Sequence, residues 1–490
     1  MRFPSSSHHR LFSIHTTKHT NRVTMASIYE HNQQKGVMLV SVHAIGSRNP
    51  MTRLARRLVL KGLHVTLAIN DLALKNHSSI VGGVHLEYFS DGLPEDHDRL
   101  NGDIDIFMSS LRRFGPGNLS ALIGSCGRKF SCVITMPFLP WAADVAAELG
   151  LPCAMVWIQA CTVYQIFNCF YNRINEFPTE NNLENMVVNL PGVPSLRAED
   201  LPSFVLPANT MSTFDSILKE VFCNIHKYKW VLGNSFMELE KDVIKAVNDA
   251  GLPFWPVGPI VPAICLGEED TIDGDLKGLT LFKSPGESNC LEWLDKHPPA
   301  SVVYISFGTL LFLSRKQIES IATGLKSSKR PFLWVVKLPE NQETQKVEIL
   351  EEIKEQGLIM SWSPQTAVLS HPSVGCFISH CGWNSLIETI TAGVPMIACP
   401  QWTDQPTNAK LVTDVWRIGV KLKKNVEGLF DGEELERCVE EVLTGSGSEE
   451  FRKNAAELKR AACEAVADGG SSDKNIELFV DGPKLAIIPK

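Results

Sequence analysis

Residues 362–405 read WSPQTAVLSHPSVGCFISHCGWNSLIETITAGVPMIACPQWTDQ. Within this stretch an apolar run, Gly375 to Ile378, has the length and composition of a buried strand. His380-Cys381-Gly382-Trp383-Asn384-Ser385 then turns the chain into a helix expected over Asn384–Thr391. Gly382 lets the backbone approach a ligand closely. Asn384 and Ser385 place hydrogen-bonding side chains at the helix start. The exposed N–H groups and the helix dipole there favour an anion, and a diphosphate fits. His380, just before the turn, can add a donor. Glu388 lies four residues beyond Asn384 on the same helix face and can accept both hydroxyls of a ribose. Trp362, closing the expected strand Leu358–Trp362, offers a ring for stacking on a flat base. Asp404 and Gln405 follow the expected strand Pro395–Cys399 and can grip polyol hydroxyls. Singly each feature is weak, since a Trp at a strand end is usually core and a Glu on a helix is usually solvated. Together, in this order, they describe a nucleotide-sugar site.

Outward from this stretch, the chain alternates between short β-rich runs and helical segments. Val37–Val42, Val65–Ile69, Val84–Phe89, Cys132–Thr135 and Cys153–Ile158 form one series of expected strands. Pro50, in the loop after the first of them, suits a helix's first turn. A second series runs Ser301–Phe307, Phe332–Val336, Leu358–Trp362, Gly375–Ile378 and Pro395–Cys399. Helices are expected in it at Lys316–Leu325, Asn384–Thr391, Thr407–Val415, Glu433–Leu443 and Glu449–Val466. Such alternation predicts an α/β fold of two doubly wound, Rossmann-like parallel-sheet domains facing a cleft, with ligands at the carboxyl ends of the strands. Between the series, Ile260 to Glu287 is rich in Gly, Pro, Asp and Glu and reads as a linker.

Composition narrows the classes. The 490 residues carry a net charge of −8 with 44% hydrophobic and 21% charged residues, an ordinary globular balance without the basic face of a nucleic-acid binder. No apolar run reaches the roughly 18–20 residues of a membrane span. Thirteen cysteines, none spaced as C-x-x-C, argue against a disulfide framework or a structural zinc site and for a reducing cytoplasm. Walker A, G-x-G-x-x-G, H-E-x-x-H and G-x-S-x-G are absent from the sequence. The first 24 residues hold Arg2, Arg10, Lys18 and Arg22 with no acidic residue, and Met25 offers an alternative start. They read as an extension or disordered tail rather than an address.

The 44-residue stretch resembles the signature box of plant UDP-dependent glycosyltransferases of family 1, which have the GT-B fold. Leu190-Pro191-Gly192-Val193-Pro194, Asn234–Glu240, Pro256-Val257-Gly258-Pro259 and Val303–Thr309 are similar to further landmarks of that family. The resemblance implies a UDP-sugar as co-substrate, with no metal and no other cofactor. Trp362 would stack on uracil and Gln365 would help hold the nucleoside. Glu388 would bind ribose, and His380, Asn384 and Ser385 the diphosphate, with Ser306 or Thr309. Trp383, Trp402, Asp404 and Gln405 would surround the sugar, the final Gln resembling glucose-preferring members. It also implies an acceptor-binding domain over residues 37–262 after a disordered extension, 1–36. A linker, 263–298, would lead to a UDP-sugar-binding domain, 299–470, and residues 471–490 would cross back onto the first. A small hydrophobic acceptor is expected among Phe138, Trp141, Trp157, Gln159, Phe167 and Phe204. A monomer is the default.

One departure stands out. The family usually places a general-base His in the first strand–helix loop, roughly G-Q-G-H-x-N-P, oriented by an Asp after a later strand. Here the equal-length segment is Ala44-Ile45-Gly46-Ser47-Arg48-Asn49-Pro50, with Ser47 at the His position, and Met136-Pro137 stands where the Asp would be. A positioned general base is worth about 10²–10⁴ in rate, and a serine hydroxyl does not replace it near neutral pH. Four accounts stay open: an acceptor acidic enough to arrive ionised, a displaced base such as His43, different chemistry in the same cleft, or binding without turnover. His43 shares a strand face with Val37 and Leu39 and is also explained as an interior histidine. Arg48 is either a solvated helix-start residue or a partner for an anionic acceptor. The competing class is therefore a glycosyltransferase-shaped protein that no longer transfers sugar.

Overall fold

The computed structural model describes residues 36–70, 80–95, 97–99, 102–262, 266, 287–308, 313–336 and 348–485. The first sheet comprises β1 (Gly36–Ser41), β2 (His64–Ile69), β3 (Ile80–Val81), β4 (Val84–Tyr88), β5 (Phe130–Thr135), β6 (Cys153–Trp157), β7 (Tyr228–Gly233) and β8 (Phe254–Pro256). Its order is β3-β4-β2-β1-β5-β6-β7-β8, parallel throughout except for the short β3 hairpin strand. The second comprises β9 (Val302–Ser306), β10 (Phe332–Val335), β11 (Gly357–Met360), β12 (Val374–Ser379), β13 (Met396–Ala398) and β14 (Gly419–Lys421). Its order is β11-β10-β9-β12-β13-β14, parallel throughout. Both are doubly wound sheets of the GT-B architecture. Their strand order reverses between β1 and β5 and between β9 and β12, where crevices open at the carboxyl ends.

The continuous apolar runs of these strands follow from burial on both faces. Residues 37–40 of β1 and 303–305 of β9 expose none of their surface. The expected strands all form, with ends differing by one or two residues. The strands β3, β7, β8 and β14 were not expected; β3 has two residues and β8 and β14 three each, too few to give a periodic signal. The expected helix Thr407–Val415 is instead a helix, Gln405–Lys410, running into a π-turn at Leu411–Val415. The expected linker contains a helix, Glu287–Leu294, whose Cys290 and Leu294 are fully buried. Of the expected disordered extension, Gly36 opens β1 and residues 1–35 lie outside the described residues.

The first helix, Ile45–Leu60, begins five residues before Pro50, not at it. Proline has no N–H, so the carbonyl four residues back, that of Gly46, gains no helical partner. That carbonyl instead accepts Nδ2 of Asn384 from the second domain at 2.9 Å.

The last helix, Ser471–Leu485, packs on the first sheet. Phe479 meets Trp230 of β7 edge-on with centroids 5.2 Å apart. Asn475 Nδ2 donates to the Pro256 carbonyl at 2.8 Å, and Lys61 reaches Asp473 at 2.6 Å and Glu477 at 3.0 Å. Among the described residues no helix is long and apolar enough to cross a membrane.

Phe479 is 1% exposed and Leu478 is 58% exposed on the same helix. Phe479→Ala should lower stability in urea unfolding by about 3–5 kcal/mol, and Leu478→Ala by less than about 0.5 kcal/mol. Equal effects would mean that the helix is not anchored through this ring.

Candidate functional site at the interdomain cleft

At the switch point of the second sheet, Ser306 and Ser379 end β9 and β12 side by side in register. His380 follows, its imidazole held between two glycine backbones. A Cβ added at Gly308 would lie 2.9 Å from the ring, and one at Gly382 would lie 2.5 Å from Nε2. Gly308 also has φ +79°, a conformation glycine takes without strain. Burial pushes the His380 pKa down to about 4, so the ring is neutral near pH 7 with one N–H to donate.

Cys381, at φ +64°, and Gly382 turn the chain into the helix Trp383–Ala392. Gly382 is its N-cap and supplies no side-chain bond, so the first amides keep their outward donors. Gln365 opens the helix Gln365–Leu369 and donates from Nε2 to Ser385 Oγ at 3.0 Å and to Glu388 Oε2 at 2.8 Å. Burial pushes the Glu388 carboxyl above its usual range, while Arg53 and the Gln365 bond pull in the opposite direction. Trp362 is half-buried in the loop two residues after β11, which stops at Met360 instead of extending to Trp362. Thr309 lies outside the described residues.

The loop after β13 carries the expected sugar-side groups. Asp404 is buried and accepts from Thr403 Oγ1 and Asn408 Nδ2, both at 2.8 Å, and the Gln159 side chain of the first domain is near enough to favour its ionised form. Burial raises its pKa although these bonds oppose the shift. Gln405 Oε1 accepts the backbone N–H groups of Gln401 at 2.9 Å and Trp402 at 3.2 Å, which shapes the loop, and Trp402 itself is half-buried. Thr403 and Ser203 exchange two bonds across the domains: Thr403 N–H donates to Ser203 Oγ, and Ser203 N–H to the Thr403 carbonyl, each at 2.9 Å.

Several expected placements need correction. Trp383 does not surround a sugar: it is 3% exposed, and its indole N–H donates to the Asn234 carbonyl of the first domain at 2.7 Å. Asn384 is aimed at Gly46 in the first domain, as described above, and not at the helix mouth. Trp157 and Phe167 are fully buried and pack edge-on to each other among Tyr164 and Phe222, so they are core and line no open acceptor pocket. Trp141 lies beneath Gly115, where an added Cβ would approach it to 2.6 Å. Trp157, at the end of β6, and the helical Trp141 and Phe167 serve the core because they lie where helices cover the sheet. Of the expected pocket aromatics, half-buried Phe138 and buried Phe204 both meet Phe214, at 5.8 and 6.3 Å between centroids. Phe214 was not anticipated; it sits on the helix Ser212–Cys223.

At the carboxyl end of β1, Ser47 and Arg48 are each 4% exposed in the first turn of the helix Ile45–Leu60, so Arg48 is not a solvated residue. The half-buried His43 donates its backbone N–H to Asn70 Oδ1 at 2.8 Å, and Asn70 Nδ2 donates to Asp91 at 3.0 Å. Arg99 grips Asp91 at 2.6 and 2.9 Å. Burial opposes ionisation of Asp91, but these donors hold its carboxyl below the usual range. Met136 is buried next to Ser41, with Oγ to Sδ at 3.9 Å. Arg53 was missed altogether: its Nη1 lies 3.8 Å from Glu388 Oε1 across the cleft. No local pattern flags an arginine whose partner is more than 300 residues away in sequence.

Gly382→Ala should drive the His380 ring from its slot, and its NMR-monitored pKa should rise from about 4 towards the ordinary 6.5. In the unaltered protein His380 is uncharged while its unfolded counterpart protonates below 6.5, so this contribution to stability is present above 6.5 and is lost as pH falls towards about 4. An unchanged titration in Gly382→Ala would show that the glycine backbones do not set the ring's environment.

A family model described as UDP-glucoronosyl and UDP-glucosyl transferase matches residues 280–462. UDP-glycosyltransferase 84B1 of Arabidopsis thaliana is 42% identical over 464 residues, covering 93% of this chain and 99% of that protein. A chloroplastic crocetin glucosyltransferase of Gardenia jasminoides is 39% identical, covering 92% and 97%. The crystal structure of Os79 from O. sativa in complex with UDP matches with a TM-score of 0.80 and 33% identity, over 91% of this chain and all of that one. With the crevices and side chains described above, these matches show that the chain belongs to the family of UDP-glycosyltransferases of the plant type, with the GT-B fold.

Proposed function

We propose that the protein transfers a glycosyl group, glucose in the first instance, from a UDP-sugar to a small hydrophobic acceptor, with inversion at the anomeric carbon. The observation that carries this reading is the 2.9 Å bond between Asn384 and Gly46. It brings the start of the helix Trp383–Ala392, the donor helix of this scheme, against the first turn of the helix that holds Ser47, so both substrates' sites share one cleft. The UDP held by Os79 and the glucosyl transfer named for the Gardenia relative support the donor side of this reading.

In this scheme Trp362 stacks on the base, Glu388 accepts the ribose hydroxyls, and Gln365 orients Glu388. The diphosphate lies at the uncapped start of the donor helix beside Ser306 and the neutral His380. As the bond from the anomeric carbon to the diphosphate oxygen breaks, charge gathers on UDP, where those amides and the ring N–H already point. Trp402, Asp404 and Gln405 face the sugar. On the acceptor side Ser47 is not basic near neutral pH. An acceptor that arrives ionised, such as a carboxylic acid or an acidified phenol, attacks without a protein base. The buried Arg48 and the half-buried His43 would stand beside it.

The pairing of Ser47 with Met136 equally favours a protein that binds UDP-sugar without transferring it. A hydrolase alternative has less support. A Ser373–His371–Asp295 array exists, with Ser373 Oγ 2.6 Å from Nδ1 and Asp295 3.1 Å from Nε2. However, Ser373 is buried, also donates to the Leu294 carbonyl, and lies at the amino end of β12, opposite the crevice.

The purified protein should bind UDP in calorimetry and release UDP from UDP-glucose in the presence of carboxylic or phenolic acceptors, but not simple alcohols. Ser47→His combined with Met136→Asp should raise transfer to neutral alcohols by about 10-fold or more. Binding without UDP release across an acceptor panel would favour the non-transferring alternative.

A further inference from the structure

Glu388 receives different partners on its two oxygens. Oε2 accepts Gln365 Nε2 at 2.8 Å, whereas Oε1 faces Arg53 Nη1 at 3.8 Å. The second distance is within ion-pair range but beyond a hydrogen bond. Arg53 therefore supplies charge to Oε1 without occupying the lone pairs that a hydroxyl donor would use. The pair is largely withdrawn from water, with side chains 20% and 13% exposed, so solvent screens it only in part. Arg53 sits on the first helix, two turns beyond Gly46, whose carbonyl receives Asn384. One helix of the acceptor domain thus touches the donor helix at its start and, one turn on, at Glu388.

We infer that Arg53 is a positioning residue of the donor site, contributed by the opposite domain, which keeps Glu388 an oriented carboxylate for the nucleotide's ribose hydroxyls. This rests on the donor-site reading above. Among the described residues, the polar and charged groups facing Glu388 are Arg53 on the first helix, Gln365 on its own short helix and, at longer range, the Tyr304 phenol on β9. Tyr304 is neutral across the range considered, because burial raises its pKa. Burial favours protonated Glu388, while Arg53 and Gln365 favour the ionised form. Removing Arg53 raises the pH at which Glu388 takes a proton, and a protonated carboxyl loses acceptor capacity. The defect therefore deepens as pH falls.

The test is calorimetry with UDP and 2′-deoxy-UDP on the full chain. Arg53→Gln should weaken UDP about tenfold near pH 5.5 and roughly two- to threefold near pH 8. Its preference for UDP over 2′-deoxy-UDP should shrink in parallel, and Arg53→Lys should restore most of both. In a Glu388→Gln background, Arg53→Gln should cost nothing further. Wild-type protein that binds UDP while Arg53→Gln binds it equally at both pH values would overturn the inference alone. So would an equal loss for the two nucleotides, which would indicate a general disturbance of the cleft. Wild-type protein that fails to bind UDP would overturn the donor-site reading and this inference with it.

Discussion

The seam between the two sheets is the constraint on which the site depends. Each sheet opens a crevice at its own switch point, but neither crevice alone assembles the groups described above. The domains are registered by hydrogen bonds that leave buried polar groups satisfied only in one relative position. The indole of Trp383 donates to Asn234 at 2.7 Å, and that of Trp416 to Leu239 at 3.1 Å. Thr407 Oγ1 donates to the Asp200 carbonyl at 2.7 Å, and Ser203 and Thr403 exchange a reciprocal pair. An unmade bond at a buried donor costs about 1–3 kcal/mol, so a shift of this seam by an ångström or two is opposed from several points at once.

Within that seam the first helix has a particular part. Its proline leaves one carbonyl without a helical donor, and an amide from the other domain takes it. The sequence feature that would normally end or kink a helix becomes a point of attachment. The same helix carries Ser47 and Arg48 in its first turn and Arg53 one turn later, so the groups proposed for the acceptor side and the donor side are fixed to one rigid element.

The two doubly wound sheets could be read directly from the sequence, because strands buried on both faces must be apolar along their whole length. The local structure of the expected donor box was equally legible: Gly382, Asn384, Ser385 and Glu388 lie within seven residues on one helix start, although Asn384 turns to the first domain. What was not legible depends on distant partners. Trp383 looked like a sugar contact because its neighbours in sequence are the expected ligand groups, but its indole N–H reaches Asn234 of the first domain. Trp157 and Phe167 looked like pocket walls because aromatics follow a strand end, whereas Phe222 on a later helix closes over them. Arg53 gave no signal at all, since only the docking of the domains brings it near Glu388.

The final helix adds a mechanical consequence. Its start is tied to the chain that leaves the first sheet: Ser472 Oγ donates to the Gly258 carbonyl at 2.5 Å, and Ser471 Oγ bonds Glu238 at 3.0 Å. The chain's end is thus pinned to the first domain beside the point where the chain leaves it, so drawing the domains apart must also peel this helix from Trp230 and Pro256.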